Sequence, residues 1–123
     1  MNDLKATTNY EKAERYKKNY NDWKKEGLYS QGYFIIFNSF IKNNILKQIS
    51  GNALKLYIFL GSYTDNFTGE CWVSIDTIAK YFNRTSRAVS YWIKELEEYN
   101  LIRRLQLKPN DSSHTYLQPY SFE

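Results

Sequence analysis

Five side chains between positions 84 and 94 carry most of the chemistry in this sequence: Arg84, Arg87, Ser90, Tyr91 and Lys94. Arg87, Ser90, Tyr91 and Lys94 recur at the three- and four-residue steps that gather side chains on one face of an α-helix. Guanidinium and ammonium groups donate hydrogen bonds and accept none, and hydroxyls can do both. Such a face suits a polyanion with many acceptor atoms. From Thr77 through Lys94 there are four basic residues (Lys80, Arg84, Arg87, Lys94) and no acidic one. This placement says more than the formal net charge of +4. Lys, Asn, Ile, Tyr and Phe make up 53 of the 123 residues. Their codons are A/T-rich, so abundant lysine needs no functional cause. Arginine is different: of five, four stand at 84, 87, 103 and 104.

Those residues need a frame, and Trp72 to Leu105 supplies one. Ser74 stands where a helix N-cap belongs, followed by Ile75, Ile78, Ala79 and Phe82 on one helical face. Asn83-Arg84-Thr85-Ser86 is a polar turn, with Thr85 or Ser86 capping the next helix, about 85–99. On that helix Val89, Trp92, Ile93 and Leu96 form the core stripe, opposite Arg87, Ser90, Tyr91 and Lys94. Trp92 is expected in the core, and Tyr91 either packs against the preceding helix or faces outward. Glu95, Glu97 and Glu98 follow surface spacing at the end least favourable to the helix dipole. Asn100 takes the left-handed conformation that usually selects glycine.

A hairpin follows at 101–117, with Leu101–Leu107 pairing His114–Leu117 around Pro109-Asn110-Asp111, strong turn chemistry. Arg103 and Arg104 must point to opposite faces of the strand, so one at most touches a ligand from the sheet surface. Lys108 sits near the hairpin tip. His114 is expected on the strand surface, with a phosphate contact as the sharper option, and Cys71 as a small buried residue. The hydroxyls of Ser74, Thr85 and Ser86, at helix N-termini, are candidates to hold phosphate.

Upstream, Thr8-Asn9-Tyr10-Glu11 fits a capping box. The helix it starts lines up Tyr10, Ala13, Tyr16, Tyr20 and Trp23, and Gly27 is expected to end it. Residues 1–27 are therefore an N-terminal amphipathic extension, whose aromatic stripe is either core or a dimer interface, the latter favoured. Residues 28–123 form the main domain. Tyr33–Phe37 is a β-favouring run predicted as a strand. Ser39 is expected to cap a brief helix, and Ser50-Gly51-Asn52 to start a second, through Leu60, that is apolar almost all round. Tyr63–Glu70 is a loop, and Cys71–Val73 a short strand.

One cysteine rules out internal disulfides and, with one histidine, a zinc site of the usual spacing. The start is not a secretory signal and no apolar run approaches the ~20 residues of a membrane span, so a cytoplasmic protein is expected. Neither a Gly-rich phosphate loop nor a nucleophile–base constellation is present. The expectation is no enzyme and no cofactor.

The order helix, turn, helix, hairpin is that of a winged helix-turn-helix, an α+β, mainly α fold. From about Tyr33 to Tyr120 the chain resembles the N-terminal domains of plasmid and phage replication initiators and related helix-turn-helix regulators. The resemblance rests on NSFIKN, NALKLYIFL, GECWVSIDTIAKYF and, most specific, SRAVSYWIKELEEYNLIRR. It implies double-stranded DNA binding, usually as a homodimer, through Arg84–Arg87, Ser90, Tyr91 and Lys94. From their own placement at a helix N-terminus and on the wing, Ser74, Arg103, Arg104 and Lys108 are the flanking candidates. Asn100 replaces the family's common glycine. The sequence ends soon after the wing, which favours a regulator or a partition adaptor with a second protein partner over an initiator. The alternative is a winged protein-interaction module that assembles a complex without reading DNA.

Overall fold

The computed structural model describes residues 8–120. The chain divides into two compact units between Tyr33 and Phe34. The first contains helix α1 (Asn9–Ser30). Thr8 Oγ1 accepts the Glu11 N–H at 3.1 Å and Glu11 Oε1 accepts the Thr8 N–H at 2.8 Å, closing the capping box. Gly27 does not end the helix: its carbonyl accepts the Gln31 N–H at 3.0 Å. The left-handed residue past the end is Gly32, at φ 78°. An internal glycine costs only about 1 kcal/mol relative to alanine, too little to break a capped helix. No residue of α1 is buried.

The strand expected at 33–37 does not form, and residues 32–37, at the junction of the two units, have no regular structure. The Phe37 N–H goes to the Tyr120 hydroxyl at 2.7 Å, not to a neighbouring strand. Phe34 lies edge-on to Tyr57 and fills the notch at Gly61, where a Cβ would overlap its ring. This apolar segment serves as a plug. Two short helices follow, α2 (Ser39–Lys42) and α3 (Ile45–Gln48), separated by left-handed Asn44. Ser39 lies inside α2, and Asn38 takes the N-cap position instead.

Helix α4 (Gly51–Ser62) is the centre of the core. Ser50 caps it by accepting the Ala53 N–H at 3.1 Å, and Ala53, Leu56, Tyr57, Phe59 and Leu60 are buried. Ile58 faces solvent, so the helix is not enclosed all round. Burial pushes the Tyr57 phenol well above its ordinary value, and the bond to the Tyr120 side chain adds to the shift. A raised folded-state value stabilises the fold fully below the unfolded phenol's ionisation near ~10. Stability is therefore expected to fall above about pH 10. Urea titrations from pH 8 upward check this, since Tyr57→Phe should flatten the alkaline decline.

Helix α6 (Ser86–Glu98) packs on α4 and on α5 (Ile75–Phe82), and α5 meets α4 through the rings of Tyr81 and Phe82 against Phe59. Helices α5 and α6 end alike, with Asn83 and Asn100 in the left-handed region at φ 54° and 59°. Arg84 N–H donates back to the Ala79 carbonyl and Leu101 N–H to the Leu96 carbonyl, at 2.9 and 3.0 Å. These are Schellman closures with asparagine in the glycine place.

The sheet has the order β1-β3-β2, all antiparallel, from β1 (Glu70–Cys71), β2 (Ile102–Gln106) and β3 (Ser113–Leu117). Strand β1 sits one residue earlier than its apolar run suggests, and Trp72 beyond it is exposed. Val89, Trp92, Ile93, Leu96, Leu101, Ile102 and Cys71 join α4 in one core.

Glu95 corrects its assignment to a solvated surface. Its carboxylate accepts both the Ser50 N–H and the Ser50 hydroxyl, each at 2.7 Å. A negative charge thus sits at the N-terminus of α4, where the helix dipole favours it, and ties α6 to α4. Glu95→Ala is expected to cost about 1 kcal/mol, against under about 0.5 for exposed Glu98→Ala, in urea unfolding.

Candidate nucleic-acid interface

Leu96 and Val89, fully buried, fix the rotation of α6 about its axis. The opposite face then carries Arg87, Ser90, Tyr91 and Lys94, all exposed. The Arg87 guanidinium lies 6.0 Å from the centre of the Tyr91 ring, one turn along. Stacking of this kind restrains a long side chain without burying its donors. Arg84, in the turn, lies 5.1 Å from the centre of the Trp92 ring, and Phe82 meets the same indole edge-on. Core packing of Trp92 therefore supports an exposed arginine.

Around the turn, Lys80, Arg84, Thr85 and Ser86 line one shallow cleft with Asp76. Lys80 belongs with the candidate residues although the motif did not select it. Its signal was the basic run from 77 to 94, which includes it. Asp76 is the one acid here, and Ser86 Oγ donates to it at 3.2 Å. The three candidate phosphate-holding hydroxyls all have partners within the fold. Ser74 Oγ accepts the Thr77 N–H and Thr85 Oγ1 the Ala88 N–H, both at 3.1 Å. Ser74 and Thr85 are thus the helix caps. At the far end of α6, Lys94 shares a shallow groove with Tyr91, Glu95, Glu98 and Tyr99.

The wing arginines are used differently from each other. Arg103 turns back to the end of α6, donating to the Glu97 and Ile102 carbonyls at 3.2 and 3.0 Å and to the Asn100 side chain. A cation there completes the helix terminus and offsets the acidic last turns. Arg104 faces the other side, half-buried, with Nε donating to Thr115 Oγ1 at 3.1 Å. Burial lowers its affinity for the proton from a very high starting value, with Glu97 acting the other way. Lys108 is exposed in the hairpin turn.

His114 is not a free surface residue. It is part-buried, and its Nδ1 lies 2.6 Å from both Glu70 Oε2 and Trp72 Nε1. One nitrogen cannot accept from the indole and donate to the carboxylate in the same state. The carboxylate, which also accepts the Tyr116 hydroxyl at 3.1 Å, is the partner to which Nδ1 donates. Exposed Trp72 can give its N–H to water. Among the described residues no group of three or more His, Cys, Asp or Glu is placed to hold a metal ion. None of the described helices is long and apolar enough to cross a membrane.

Residues 47–102 match the family model described as a helix-turn-helix domain. This segment has the helix-turn-helix fold. It spans α4, the α5–turn–α6 unit and the start of β2, and the β2–β3 hairpin adds the wing. Two solved structures share the helix-turn-helix fold, each at a TM-score of 0.54. One, described as the N-terminal domain of a DNA-binding protein, is 16% identical, with 76% of this chain and 79% of that one covered. The other, described as the structure of a Rep–DNA complex, is 17% identical, with coverage of 80% and 84%. Comparison with curated proteins returned no match.

Proposed function

We propose that this chain is a sequence-specific double-stranded DNA-binding protein of plasmid or phage type, a homodimer acting in transcription control, replication or partition. The observation that carries the proposal is the exposed face of Arg87, Ser90, Tyr91 and Lys94 on the second helix of the helix-turn-helix. In this geometry that helix enters the major groove, where arginine can pair bidentately with guanine. Lys80 and Arg84 flank it at the turn, and Lys108 extends from the wing towards phosphates. Arg103 and Arg104 act mainly in holding the wing to the domain. The two structural neighbours described as a DNA-binding protein and a Rep–DNA complex support the reading. Binding of this kind needs no catalytic group or cofactor, and it places the protein in the cytoplasm with the nucleoid or plasmid. A partition role adds a second protein partner.

The test is fluorescence anisotropy with the duplex upstream of the protein's own gene and a scrambled duplex, over a salt series. Tight binding to the upstream duplex alone, falling steeply with salt as released counterions require, is the expected result. Equal, weak, salt-sensitive binding to both leaves a DNA reader whose target lies elsewhere. No binding at low salt overturns the proposal. The rival, a protein-interaction module, would then be favoured by the exposed rings of Tyr63, Tyr81 and Trp72.

A further inference from the structure

Helix α1 has 22 residues and buries none of them. Tyr10, Tyr16, Tyr20 and Trp23 remain between 58% and 76% exposed. Tyr20 and Trp23 already touch, with ring centres 5.7 Å apart. The central line of the stripe is Ala13, Tyr16, Tyr20, Trp23 and Gly27, with steps of three, four, three and four. That alternation is the seam of a two-helix coiled coil. The opposite face is already satisfied in water, where Lys18 pairs with Asp22 at 2.8 Å. An aromatic stripe left in water on a helix of this length calls for a partner helix.

We propose that the partner is α1 of a second copy of this chain, packed antiparallel, with Trp23 of each helix seated over Ala13 of the other. The proposal rests on the homodimer reading above and assigns it a surface. Size decides the direction first. Antiparallel, each large ring at 23 meets the small residue at 13, and Tyr16 meets Tyr20. Parallel packing sets Trp23 on Trp23 and Ala13 on Ala13, crowding one layer and leaving a gap in another.

Charge decides it again on the flanks. In the antiparallel register Lys12 of each helix faces Glu26 of the other, Asn19 faces Asn19, and Tyr10 faces Lys24. Two opposite-charge pairs and two cation–ring pairs result. The one like pair is Lys17 with Lys17, and each of these has Glu14 beside it at 3.1 Å. In the parallel arrangement Lys12 faces Lys17 twice, with no compensating attraction. Three rings per helix burying ~150–250 Å² each bring the pair to about the ~1,000 Å² of a specific interface.

Sedimentation equilibrium on the full chain, with three kinds of variant, tests this. The wild type is expected to dimerise. Lys12→Glu should weaken the dimer about tenfold, and adding Glu26→Lys should restore it. Under mild oxidation Asn19→Cys should form a linked dimer, because position 19 lies beside its own copy only in the antiparallel register. Gly27→Cys should not, and native Cys71 is buried and silent. Linking through Gly27→Cys but not Asn19→Cys overturns the antiparallel assignment. A dimer indifferent to the charge swaps and to Trp23→Ala overturns the α1 surface while leaving the homodimer standing. A wild-type chain that stays monomeric at about 100 μM overturns both.

Discussion

Trp92→Ala is expected to lower the unfolding free energy by about 3–5 kcal/mol, the largest effect of any single change considered for this chain. The indole is 7% exposed and lies on the core stripe of α6 with Val89, Ile93 and Leu96. Phe82 from α5 meets it edge-on at 5.6 Å, so the side chain is part of the contact that sets the angle between the two helices. Removing it leaves a void that Arg84, whose guanidinium lies over the same ring, cannot fill without burying a charge. Urea unfolding followed by circular dichroism gives the free energy free of any change in tryptophan emission. Trp92→Phe separates two roles: it keeps most of the packing volume and weakens the platform under Arg84. Its expected cost is about 1 kcal/mol, with a modest loss of DNA affinity. A small effect of Trp92→Ala on stability, with a large loss of DNA affinity, would instead make the indole a contact to bases and remove it from the core.

The elements legible in the sequence are those whose partners lie within a few residues. The capping box at Thr8, the helix start at Ser50, the caps at Ser74 and Thr85, and left-handed Asn100 each depend on a local backbone geometry. The stripe Val89, Trp92, Ile93, Leu96 was equally legible, since periodicity alone gives a helix its buried face. The strand expected at 33–37 failed because β-propensity describes the residues and says nothing of whether a neighbouring strand exists. Here the candidate neighbour is Tyr120, which answers Phe37 with a side-chain hydroxyl 83 residues away. Gly27 misled for a related reason: with Gly32 five residues on, the helix had a second place to stop.

At the interface, the exposed face of α6 followed directly from the stripe opposite it. The wing did not. Alternation correctly put Arg103 and Arg104 on opposite faces, but their hydrogen bonds go to Asn100 and the end of α6, and to Thr115 across the strand pair. Glu95 and His114 were misplaced in the same way, because Ser50 and Glu70 lie 45 and 44 residues distant in sequence. A charged residue's exposure can be inferred from its own helix. Its partner cannot. On the proposed reading, the groups with the most hydrogen-bonding capacity left for DNA are Lys80, Arg84, Arg87, Ser90, Tyr91, Lys94 and Lys108.

Within that set, Arg87→Ala is expected to cost about 1–3 kcal/mol of binding to the cognate duplex and clearly less on a scrambled one. Arg87 sits in the first turn of α6, the part of a recognition helix that approaches base edges. Its guanidinium is exposed, restrained by the Tyr91 ring and held by no carboxylate bond among the described residues. Little of its hydrogen-bonding capacity is therefore lost to the protein before DNA arrives. Lys94→Ala, by contrast, should weaken both duplexes alike and reduce the salt slope by about one counterion, as a phosphate contact does. Arg103→Ala should act mainly on stability, through the end of α6. Anisotropy titrations of the three variants on both duplexes, at two salt concentrations, separate these outcomes. An equal loss on both duplexes would make Arg87 a backbone contact, and no loss would remove it from the interface. In that last case the turn residues Lys80 and Arg84 would be left as the basic centre, and α6 would lie across the groove instead of in it.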